Sequence, residues 1–159
     1  MIIAIKSLIA QIYKDTGLRV IKAYQKGSKL ALPYGVYNVT SPYIKDVGQE
    51  NESYIDTGND FLIIHEEQFK SVLSFNIYAT NDETAIDLAL QVRKWFLFLG
   101  QEYIQSQNIA IISVGNVEAR TTFLVDSYEH KHGFDVQLRL TDEQSRQVDY
   151  FNKIGELKI

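Results

Sequence analysis

Cysteine is absent from all 159 residues, which excludes a disulfide framework, thiolate chemistry and Cys-ligated zinc. Stability must come from packing. A positive charge excess is missing too: 16 Lys and Arg stand against 20 Asp and Glu, a formal net charge of -4. No basic field seeks out a phosphate backbone, so nucleic-acid binding by attraction is disfavoured. No apolar run approaches the roughly 20 residues that span a bilayer. The apolar start is interrupted by Lys6 and lacks a small-residue cleavage site, so a secretory signal is not expected and the chain reads as soluble and cytoplasmic.

Signatures of catalysis are missing as well. There is no phosphate-cradling P-loop, no dinucleotide-binding glycine triplet after a strand, and no nucleophile elbow. Carboxylate pairs such as Asp82-Glu83 and Asp142-Glu143 sit at element ends, where helix capping accounts for them. His130 and His132 flank Lys131, which on a strand puts both rings on one face, but a metal needs a third ligand, and an exposed polar turn is the simpler reading. His65-Glu66-Glu67 opens like a metalloprotease helix, yet no second His follows at the required spacing. No catalytic, cofactor-binding or metal residue is therefore assigned, and an enzyme is not expected.

What is present is a hydrophobic fraction of 45% and an aromatic load of 12%, with ten Tyr and eight Phe. The first suffices for one core. The second tilts towards a protein that packs against other proteins, since Tyr suits a surface both wet and adhesive.

The organising stretch is Phe69 to Gly100. Phe69, Leu73, Phe75, Ile77 and Ala79 alternate with polar residues, the period of a strand with one buried face. Thr80-Asn81-Asp82-Glu83 has capping-box spacing, with acids where the helix dipole favours them. Ala85, Ile86, Leu88, Ala89, Val92, Trp95, Phe96 and Leu99 then recur at helical steps, and Gly100 can supply a left-handed stop. Around this unit, Ile2 to Tyr13 predicts an amphipathic helix capped at Gly17, and Leu18 to Tyr24 and Pro33 to Thr40 read as extended. Residues 42–60 are a long acidic loop or an extended hairpin, and the β-prone run Phe61 to Ile64 leads into a long central strand. Gln101 to Asn108 fits a short helix, Ile109 to Val114 a strand buried on both sides, and Val117 to Asp126 a connector turn. Phe134 to Thr141 alternates most cleanly of all. The fold class is α+β, a largely antiparallel sheet with helices packed on one face. One domain over residues 1–142 is expected, with 143–159 as an apolar tail that is tied in or waits for a partner.

The order of these pieces carries a resemblance: Pro33-Tyr34 on a strand, the strand-Asx-helix unit Ala79 to Trp95, Gly115-Asn116, and the run Tyr128 to Asp135. Together they resemble the tail-terminator or neck-terminator proteins of tailed bacteriophages, from about Val20 to Glu143. The resemblance implies a virion protein, assembled in the host cytoplasm, that forms a homohexameric ring on the tail tube. The ring would stop tube polymerisation and meet the head-tail connector or stopper protein. An acidic lumen would let DNA pass without specific binding. Candidate subunit or tube contacts are Tyr54 and Ile55 in the acidic loop and Tyr150, Phe151, Ile154 and Leu157 in the tail. Alternatives are another phage head-tail joining or completion protein, or a small ligand-binding or enzymatic α+β domain with its pocket under the long loop.

Overall fold

The computed structural model describes residues 1–149. It opens with helix α1, Ile2–Thr16, which buries Ile5, Leu8, Ile9 and Ile12, one stripe at three- and four-residue steps. Gly17 ends it as the sequence predicts. Its φ of 74° is left-handed and its N–H donates to the Tyr13 carbonyl at 2.8 Å.

Five strands form the main path of an eight-stranded, largely antiparallel sheet. In chain order the eight are β1 (Val20–Lys22), β2 (Tyr34–Lys45), β3 (Asn51–Asp56), β4 (Asp60–Ala79), β5 (Ala110–Val114), β6 (Glu118–Ala119), β7 (Thr122–Phe123) and β8 (Tyr128–Asp149). The path runs β1-β2-β4-β8-β5; β3 pairs with β4, and β6 and β7 pair with β8. β1 lies parallel to β2, with Val20 opposite Gly35. The α+β expectation therefore holds. Residues 42–60 resolve into the hairpin alternative: β2 runs on to Lys45, and β3 turns back through Thr57-Gly58 to pair with β4, Asn51 opposite Glu66 and Asp56 opposite Phe61.

By internal contacts the chain forms two compact units. One comprises Met1–Ile44 with Lys70–Leu140, the other Lys45–Phe69 with the chain from Thr141.

In the first unit, β4 buries every second residue from Ser71 to Ala79, and Phe75 lies at the centre of an aromatic cluster. Its ring is stacked on Phe134 at 5.5 Å and tilted against Phe96 at 5.3 Å, while Trp95 meets Phe96 edge-on at 5.0 Å. Such pairs add about 0.5–1.5 kcal/mol each beyond the burial itself. Helix α2, Asp82–Lys94, follows β4 directly. Asn81, not Thr80, is its N-cap: the Asn81 Oδ1 accepts from the Thr84 N–H at 2.8 Å, so the capping signal sits one residue later than the box predicts.

The end of α2 departs further from expectation. Trp95–Leu99 is a π-helical turn. The wider turn changes the phase of the buried stripe, so Trp95 and Phe96 stay in the core while Leu99, expected inside, is 64% exposed. Gly100 is not left-handed either; its φ is -89°. Glycine is needed there because the Trp95 ring lies over it, and a Cβ would come within 2.5 Å of the indole. Helix α3, Gln101–Ser106, buries Ile104. β5 is not buried on both faces as predicted. It lies at the end of the sheet, is irregular between Ile111 and Ser113, and exposes Ala110 and Ser113.

The connector 117–126 becomes β6 and β7 and places one part-buried basic side chain against β4 and β8. The Arg120 Nη1 donates to Ser74 Oγ at 2.9 Å and Asn76 Oδ1 at 3.1 Å, and its Nη2 to Asp135 Oδ1 at 3.2 Å. Gly133 makes this possible. A Cβ there would collide with the Phe75 carbonyl and stand 2.8 Å from Nη1.

In the second unit the β3–β4 hairpin is largely solvated. All six β3 residues are exposed, and Ile63 and Phe69 supply the buried apolar side chains. Asp56 Oδ1 accepts from Gly58 N–H at 2.8 Å, which fixes the turn at its tip. β8 continues to Asp149 with exposed residues over 141–147, which is why its sequence there shows no hydrophobic period.

Candidate assembly surfaces

A protein that functions by docking leaves apolar side chains where folding alone would hide them. In the first unit the π-turn does this at the end of α2, exposing Leu97, Phe98 and Leu99 at 42%, 78% and 64%. Three consecutive exposed apolar residues are unusual on a helix with a well-formed buried stripe. The turn between β7 and β8 exposes a second group, Phe123, Leu124, Val125 and Tyr128, with the Phe123 and Tyr128 rings 5.0 Å apart.

Beside that turn the first unit carries a shallow groove of about 450 Å³ lined by Leu30, Leu32, Tyr34, Tyr78, Tyr128 and His130. Tyr34 and Tyr78 are stacked there at 5.1 Å, and Lys131 Nζ lies 5.5 Å over the Tyr78 ring. Burial is the main cause that pushes both hydroxyls above their ordinary 10.0; for Tyr34 the neighbouring Tyr78 and Glu129 add to it, for Tyr78 Glu129 and Tyr24. They remain neutral donors at any physiological pH.

His130 and His132 do not form an exposed turn. Both lie on β8, His132 is buried, and among the described residues the Nδ1 atoms of both have no hydrogen-bond partner. The His132 Nδ1 is 3.6 Å from Asp82 Oδ1 at the start of α2. Among the described residues the three-membered group of metal-ligating type lies elsewhere, in the second unit: Glu50, His65 and Glu67.

Tyr54 and Ile55, the contact candidates in the acidic segment, lie side by side on β3, exposed at 57% and 47%. β3 has β4 as its one partner strand among the described residues. Tyr150, Phe151, Ile154 and Leu157 lie outside the described residues. Sequence reasoning missed the π-turn group because a uniform helical period assigns Leu99 to the core, and the Phe123 group because β7 is only two residues long.

Comparison with protein families decides what these surfaces belong to: the model for the phage neck terminator protein matches residues 2–158. The chain belongs to that family. No curated protein matches it. As a neck terminator it is a structural component of the phage head-tail region, and none of its helices among the described residues is long and apolar enough to cross a membrane.

Proposed function

We propose that this neck terminator forms a ring at the head-proximal end of the tail tube, ends tube polymerisation there, and joins the tail to the head connector. The observation that carries this reading is the family match over nearly the whole chain. The exposed apolar groups agree with it. A closed ring joins one patch to a different patch on the next subunit, so each subunit needs two unlike adhesive surfaces. The π-turn group and the β7–β8 turn are such a pair, and the exposed Tyr54 and Ile55 on β3 are a third surface that suits the tube or connector. Six copies is the number we assign to the ring. Residues 143–159, with Tyr150, Phe151, Ile154 and Leu157, are proposed as a tail that reaches a neighbouring subunit or the tube. A net charge of -4 per subunit leaves DNA free to pass a ring lumen without being held. The site of action is the virion neck, with assembly in the host cytoplasm and no catalytic step.

The test is the mass of the purified protein by light scattering across concentration, with and without purified tail tubes. A shift towards six subunits, or capture at one end of the tubes, is expected. A monomer at every concentration that also ignores tubes would sink the proposal.

A further inference from the structure

The second unit holds a cluster of one histidine and three carboxylates on and beside the β3–β4 hairpin. On β4, His65 and Glu67 are two residues apart and project from the same face. Glu52 of β3 stands opposite His65 in the strand register, and Glu50 lies just ahead of β3. The imidazole is held between two carboxylates on opposite nitrogens: Nε2 is 3.6 Å from Glu50 Oε2, and Nδ1 is 3.6 Å from Glu52 Oε1. One ligand atom each from Glu50, His65 and Glu67 falls within a 4.8 Å span.

We propose that Glu50, His65 and Glu67 bind a zinc-class divalent cation, with Glu52 as the carboxylate that orients the histidine. Bonds of about 2.0–2.2 Å to N and O in a tetrahedron place neighbouring ligand atoms about 3.4 Å apart. The Nε2–Oε2 distance is therefore already near a tetrahedral edge, and the Glu67 ligand atom lies within the same 4.8 Å span. A metal-bound imidazole characteristically donates its other N–H to a carboxylate, which sets the tautomer; Glu52 Oε1, 3.6 Å from Nδ1, is the neighbouring carboxylate that would take that role on a small approach, leaving Nε2 for the ion. One imidazole with two carboxylates selects zinc and its neighbours over magnesium or calcium, which favour all-oxygen sites. The fourth position is open to water or to a donor from another chain. Lys45 lines the cavity beside Glu50 and Glu67, and Arg146 the one beside Glu52 and His65. Either could serve as a resident countercharge in place of an ion, and that is the rival reading to be tested. The bound ion would fasten the connection before β3 to β4 and so set the hairpin that carries Tyr54 and Ile55. Sequence alone does not bring these donors together, because they converge only through the register of β3 on β4, and β3 buries none of its residues and so leaves no period to read.

The experiment is calorimetric titration of the full chain with Zn²⁺, and with Co²⁺ for its visible spectrum, beside His65→Ala, Glu67→Gln, Glu52→Gln and His132→Ala. One ion per chain is expected, with a tetrahedral Co²⁺ spectrum and competition by Zn²⁺ but not by Mg²⁺. Glu52→Gln should weaken binding about 10–100-fold at unchanged stoichiometry. His65→Ala should abolish it, and His132→Ala should leave it intact. Circular dichroism confirms that each variant is folded. No saturable binding by the wild-type chain, binding that survives His65→Ala with Glu67→Gln, or binding lost only in His132→Ala would each overturn the assignment.

Discussion

Individual side chains in this protein act by where they leave room. Gly133 has no Cβ, and Arg120 uses that vacancy to reach Ser74 and Asn76 on one strand and Asp135 on another. Trp95 is fully buried, yet its Nε1 donates to Asp15 Oδ2 at 2.8 Å, so the indole is both core and clasp. The stacked tyrosines give a measurable consequence. Their hydroxyls are raised in the folded chain, chiefly by burial, so the unfolded chain releases these protons first. The stability they contribute is fully present below the unfolded value of 10.0 and is lost as pH rises through the folded values. The urea midpoint should hold level to about pH 9 and fall above it, less steeply in Tyr78→Phe. An equal fall in that variant would place the cause elsewhere.

At the scale of elements, a short cap outweighs a long pattern. Asn81→Ala removes the side-chain acceptor of Thr84 N–H and should cost about 1 kcal/mol, read as a shift in the chemical unfolding midpoint, while Thr80→Ala should cost less. A reversed order would restore the capping box predicted from Thr80. How much of the fold was legible follows from what each element buries. α1 and β4 announce themselves because Ile5, Leu8 and Ile12, or Leu73, Phe75 and Ile77, must all face one core. β3 is silent because none of its six residues is buried, so no alternation marks it. The π-turn is silent for the opposite reason: Trp-Phe-Leu-Phe-Leu is apolar throughout, and composition cannot say where the helix widens. The candidate surfaces divide likewise. Tyr54 and Ile55 stand out as apolar residues in an acidic segment, whereas Leu99 reads as core until the phase shift is known.

For the whole molecule the question is which exposed apolar groups are reserved for neighbours. Phe98, at 78% exposure, makes little of the monomer's core, so Phe98→Ser should change stability by no more than about 0.5 kcal/mol. In light scattering the same variant should shift mass towards the monomer. Unchanged assembly would remove the π-turn from the ring contact and leave the β7–β8 turn and the β3 surface. A tail deletion is best made after Asp149, since cutting at 142 would remove the end of β8 along with the tail.

Arg120 also says something about time. Its bond to Asp135 spans 15 positions, but those to Ser74 and Asn76 span 46 and 44. The near contact is cheap to close and the distant ones wait until β4 and β8 have already met. A clasp that closes last barely affects how fast the subunit forms. It should instead govern how slowly the subunit comes apart.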